Sequence, residues 1–148
     1  QRTFALAALV AALGFVITLT LVNVDGLIVQ LNVQRTRQGE ALDPYYLNSL
    51  SVDAIPALIG AHQDPRLSPA DRNEVAAILV CQQELLEQFR QEQPWQSFHW
   101  SRERALNQLE SYNGDLSAAE LYQAESGNWW VQVNGEERPC QYDPFEYY

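Results

Sequence analysis

The chain has 148 residues, enough for one domain of ordinary size, with a formal net charge of −10 and nine basic residues that are all Arg. That balance argues against nucleic acid, whose binding rests on basic patches that neutralise phosphates, and against an electrostatic grip on anionic lipid. The absence of Lys also removes a phosphate-loop lysine, a Ser–Lys pair and a Schiff base, and no glycine-rich phosphate loop, GxSxG or HExxH occurs.

The mean hydropathy of −0.28 averages two unlike parts. Thr3 to Val22 reads TFALAALVAALGFVITLTLV, twenty residues without a charge. As a helix it rises roughly 30 Å, the thickness of a bilayer's hydrocarbon core. Residues 1–22 are therefore expected to form a transmembrane helix. The competing reading is a signal peptide, but its apolar region is normally shorter and ends in small residues, whereas Leu21-Val22-Asn23-Val24 is bulky. Ala5, Ala8 and Ala12 share one helical face, which suits close packing against another membrane helix. Arg2 lies on one side and Arg35 and Arg37 well beyond the other, so charge does not assign sidedness. Starting at Gln1, the chain reads as a piece of a longer one.

Residues 23–60 read as juxtamembrane helices. Leu27, Ile28 and Leu31 recur at helical spacing, with a strand as the competing reading because Val29, Leu31 and Val33 alternate with polar residues. Gly39 reads as a helix stop. In Asp43-Pro44-Tyr45-Tyr46-Leu47 the Asp caps and the Pro opens a helix, with Tyr46 and Leu47 expected inward. Ser51 or Asp53 caps the next helix, which tolerates Pro56 in its first turn and ends at Gly60. Asn23, Asp25, Asn32, Arg35, Asp43 and Asp53 form a candidate polar site at the membrane boundary, where polar groups are costly and often functional. Capping is the structural role open to the aspartates.

The order Asn23, Asn32, Arg35, Asp43, Tyr46-Leu47, Leu50-Ser51, Asp53-Ala54, Pro56 resembles the tail of an uncharacterised bacterial family of multi-pass membrane proteins, a domain of unknown function of the 4153/4173 type. Pro94-Trp95-Gln96-Ser97-Phe98-His99-Trp100, followed by Ser101-Arg102-Glu103-Arg104, is similar to a second block of that tail. The resemblance covers roughly residues 15–110 and stops after Asn113. It implies further membrane spans upstream and carries no known activity.

Residues 61–127 read as a helical domain. Ser68-Pro69-Ala70-Asp71 is a helix start, after which Val75, Ile78, Leu79, Leu85, Leu86 and Phe89 recur at helical spacing. Trp95, Phe98 and Trp100 read as a core plug, with a ligand platform or a membrane-surface belt as alternatives. Ser101 opens another helix with Ala105, Leu106, Leu109 and Tyr112 inward, and Ser117-Ala118-Ala119-Glu120 reads as a capping box starting a short helix that ends at Gly127. Residues 128–148 read as a β-hairpin turning at Asn134-Gly135, followed by an acidic aromatic tail.

Cys81 and Cys140 are the only cysteines, and a bridge between them would fit an oxidising, extracytoplasmic face. Their spacing relative to His62 and His99 matches no zinc pattern, so neither a metal nor a cofactor is expected. Asp53 and His62 are conceivable as an acid–base pair, but no nucleophile or oxyanion site accompanies them.

The sequence thus predicts a mainly α protein: one N-terminal transmembrane helix, then a small helical extramembrane domain with a C-terminal β-hairpin. Its expected role is a non-enzymatic structural or interaction subunit of a larger membrane protein or complex. The expected partners are the lipid bilayer and other transmembrane helices or membrane-complex subunits. The place is the bacterial plasma membrane, with residues 23–148 on the extracytoplasmic side. The alternative is part of a membrane enzyme or transporter whose working groups lie at the boundary or in upstream spans.

Overall fold

The computed structural model describes the backbone of residues 2–21, 23–92 and 100–141, and the side chains of residues 4–16, 23–91 and 100–141. Trp95, Phe98 and His99 of the expected aromatic plug, and the acidic aromatic tail from 142 onward, lie outside the described residues.

Helix α1 runs Arg2–Leu21. Every described side chain on it is exposed, including Phe4 at 79% and Leu9 at 57%. The expectation of a transmembrane helix over 1–22 is corrected here: among the described residues no helix is long and apolar enough to cross a membrane.

Among the described residues, five helices build the body: α2 (Val24–Thr36), α3 (Pro44–Asn48), α4 (Ile55–His62), α5 (Pro69–Glu92) and α6 (Trp100–Glu110). A 3₁₀ turn, Val52–Ala54, leads into α4. Val29, Val33, Leu47, Ile55, Leu58, Val75, Ile78, Leu79, Leu86, Leu106 and Leu109 share one core. Each fully buried Leu or Ile there contributes roughly 1.5–3 kcal/mol of transfer free energy. That core joins residues on both sides of position 60, so α2–α4 pack as part of the same body as α5 and α6.

Local signals explain the starts. Asp43 accepts from Tyr46 N at 3.0 Å with Pro44 opening α3. Ser68 Oγ accepts from Asp71 N at 3.1 Å while its hydroxyl donates to the Asp71 carboxylate at 2.6 Å, so the two residues tie down the α5 start. Two inward assignments, Tyr46 and Phe89, are corrected, and the face that α2 buries is not the one carrying Leu27 and Leu31. On α2 the buried face is Gly26, Val29 and Val33, while Leu27 and Leu31 are about half exposed. Leu47 is buried but Tyr46 faces out. Phe89 is exposed, its ring covered by the Arg102 guanidinium 4.6 Å from the ring centre, which suits a cation–π contact.

The C-terminal part is a three-stranded antiparallel sheet rather than the expected hairpin: β1 (Glu120–Gln123), β2 (Trp129–Val133) and β3 (Glu136–Pro139), in that order. The short helix expected from Ser117 to Gly127 is replaced by β1. There Leu121 faces Val131 and Tyr122 faces Trp130, cross-strand pairs that outweigh one turn of helix. Asp115, not a reciprocal box, takes the Ser117 N–H at 3.0 Å. Gly127, at φ +85°, turns β1 into β2. The Asn134-Gly135 turn between β2 and β3 appears as expected, both residues at positive φ as a type I′ turn requires. The sheet lies on α5 through a second apolar cluster of Ala77, Cys81, Val131, Val133 and Cys140.

Candidate functional site

The six sequence-predicted polar residues separate into two groups. Asn23, Asp25 and Asp53 meet where α2 begins. Asn23 caps α2, its carboxamide oxygen accepting from Gly26 N at 2.7 Å, and its Nδ2 donates to the Asp53 carbonyl at 2.6 Å. Gly26 has to be glycine there, since a Cβ would sit 2.9 Å from the Asn23 amide. Asp25 accepts from Ser51 N at 3.0 Å, and Ser51 in turn caps the 3₁₀ turn by accepting from Asp53 N at 3.3 Å. These bonds close the α2 start against the loop before α4, a pairing across about thirty residues of chain.

The other three residues do not join that junction. Asn32 donates back along α2 to the Ile28 carbonyl at 3.0 Å, and Asp43 caps α3. Arg35 is exposed in the last turn of α2, where cations complement the helix dipole. Among the described residues, no hydrogen bond or ion pair links Asn32, Arg35 or Asp43 with Asn23, Asp25 or Asp53. The side chains of Asn23 and Asp25 are engaged with backbone groups, and Asp53 joins through its backbone, an arrangement that positions helices.

Two polar centres bring together residues that the sequence did not pair. Asp64, 7% exposed, accepts from Arg37 and from both the backbone and guanidinium of Arg66, the latter two at 3.0 Å. The Arg66 hydrogen bonds, aided by Arg37, hold its carboxyl far below the usual carboxylate range. Read alone, His62-Gln63-Asp64-Pro65 signals only a turn, because Arg37 arrives from the far end of α2. The second centre pairs His62 Nδ1 with the Tyr112 hydroxyl at 2.6 Å, their rings edge-to-face with centres 5.8 Å apart. Burial, then the nearby Arg72 charge, pushes the His62 pKa down against the opposing pull of Asp115. Burial pushes the Tyr112 hydroxyl up. His62 therefore works with Tyr112 rather than with Asp53.

Cys81 and Cys140 are disulfide-bonded, Cα atoms 5.1 Å apart. Beside the bridge, Arg138 is buried and donates to the Glu74 carboxylate and to the Glu74 carbonyl. Asn134 donates to Glu74 Oε1 at 2.7 Å and to the Ala70 carbonyl at 3.1 Å, so the β2–β3 turn is held on the start of α5. Among the described residues, no group of three or more His, Cys, Asp or Glu is placed to hold a metal ion.

The sequence model of a family described as "Domain of unknown function (DUF4153)" matches residues 1–61, from α1 almost to the end of α4. All six polar candidates fall inside that stretch, whereas the Trp-containing block at 94–105 lies outside it. No curated protein and no solved structure matches the chain.

Proposed function

We propose that the chain, whose residues 1–61 match the model of the DUF4153 family of unknown function, is a non-enzymatic structural or interaction subunit, the water-side part of a larger membrane protein or complex. One observation carries the reading. The described apolar side chains of α1, among them Phe4, Leu6, Leu9, Val10, Leu13 and Phe15, are exposed on every face, while the body beyond it is closed over its own core. A helix apolar on every described side calls for an apolar surrounding, here the apolar surfaces of partner subunits. The Cys81–Cys140 bridge supports an oxidising location for the body, hence the extracytoplasmic side of a bacterial plasma membrane. The alternative of an enzyme or transporter working at the boundary has less support, because Asn23, Asp25, Asn32 and Asp43 are used on backbone groups.

The test is the behaviour of the full chain. It is expected to associate with membranes or self-associate without detergent, and Leu9→Glu with Leu13→Glu is expected to release it. A full chain that sediments as a single monomer in detergent-free buffer, with α1 folded onto its own body, would sink the reading.

A further inference from the structure

Trp100 opens α6 with 75% of its side chain exposed, the largest exposure of any big apolar side chain described outside α1. It is therefore not the core plug its sequence position suggested. Two clefts have it in their walls. One, of about 260 Å³, has Asn23, Asp53, Trp100 and Arg104 in its walls; the other, of about 340 Å³, is lined by Trp100, Glu103, Arg104 and Gln108. Asn23 stands two residues beyond the end of α1, so Trp100 occupies the side of the body from which the apolar helix emerges.

Two of the charges around the indole, Arg104 and Asp53, are open as well, and Glu103 is half-exposed. Arg104 is exposed and makes no hydrogen bond or ion pair among the described residues. Asp53 is exposed, and the bonds it makes run through its backbone, not its carboxylate. One cation and two anions, Arg104 with Asp53 and Glu103, thus surround a ring that has an apolar body and one N–H donor. That is the complement of a zwitterionic lipid headgroup. Arg matches phosphate, carboxylates match an ammonium, and Trp favours the layer where apolar and wet groups meet. A protein of net charge −10 is repelled by an anionic surface, which selects the zwitterionic bilayer.

We propose that the face formed by Trp100, Arg104, Asp53 and Glu103 lies in the headgroup layer of a zwitterionic bilayer. Arg104 is then on the phosphates and the two carboxylates are toward the ammonium groups. This inference rests on the membrane-side reading above and names the surface that meets the lipid.

The full chain is mixed with phosphatidylcholine vesicles whose lipids carry bromine on the acyl carbons nearest the headgroup. The emission lost between the parent and Trp100→Phe isolates Trp100, and an exposed ring can be replaced without disturbing the core. Trp100 emission is expected to shift to the blue and be quenched by the shallow bromines. Arg104→Gln should reduce that quenching, and adding anionic phosphatidylglycerol should weaken it. If the chain floats with the vesicles while Trp100 is neither shifted nor quenched, the inference is overturned and the membrane-side reading stands. If the chain does not float, the inference is overturned, and if it also stays a single monomer in detergent-free buffer, both fall.

Discussion

Cys81, on the buried face of α5, is bonded to Cys140 at the end of β3, closing 59 residues of chain into a loop. The same α5 face that carries Cys81 and Ala77 also meets Val131 and Val133, so bridge and apolar contact pull the sheet onto one helix. Asn48 adds a third tie, donating to the Cys140 carbonyl at 2.8 Å.

Replacing both cysteines by Ala is expected to destabilise the fold by about 4 kcal/mol on the chain-entropy account of a loop this long. Chemical denaturation of the parent and the double variant measures it. A change near zero would mean the sheet is held by its other contacts alone.

Arg138 and Glu74 form a nearly dry ion pair between β3 and α5. Glu74→Ala leaves the buried guanidinium uncompensated and is expected to cost about 3 kcal/mol or more. Glu74→Leu combined with Arg138→Met should recover most of that loss, because it removes both charges together. Urea midpoints for the single and paired variants decide the point.

The burial of His62, with the Arg72 charge nearby, makes stability depend on pH. Folded His62 has its pKa below the ordinary 6.5, so on acidification the unfolded chain takes up a proton that the folded protein resists. The contribution is complete above 6.5, declines as pH falls through that value, and levels off below the folded pKa. The thermal midpoint should therefore fall from neutral to mildly acidic pH, and His62→Gln should flatten that segment of the curve. Asp64 acts lower on the scale: its depressed pKa gives stability that is present above the ordinary 3.8 and lost as pH drops further. Asp64→Asn should reduce the parent's advantage at neutral pH and leave the strongly acidic end little changed.

Two glycines predict opposite outcomes. Gly60 lies inside α4, and a Cβ there would meet nothing within 4 Å. Gly60→Ala is expected to stabilise by about 0.5–1 kcal/mol by relieving the entropy that glycine loses in a helix. Gly135 holds φ +85° in the β2–β3 turn, and Gly135→Ala should cost about 1–2 kcal/mol. Melting temperatures of the two variants test both signs.

Local chemistry was readable from the residues alone. Asp43-Pro44, Ser68-Pro69-Ala70-Asp71 and Asn134-Gly135 each satisfy or bend the backbone within a few positions, so their caps and turn stand where the sequence places them. The cysteine pair was likewise legible, being the only two sulfur partners available for a bridge. Tertiary structure decided what depends on distant neighbours. Whether Ser117–Gly127 becomes helix or strand turns on Val131 and Trp130, which lie across the sheet. Which face of α2 is buried turns on α4, and the charge of Asp64 turns on Arg37, 27 residues earlier. The polar residues near α1 were found by sequence as a group, yet only folding separated them into caps, a back-bond and an exposed cation. Hydrogen-bond partners are chosen by proximity in space, and a linear pattern records proximity only along the chain.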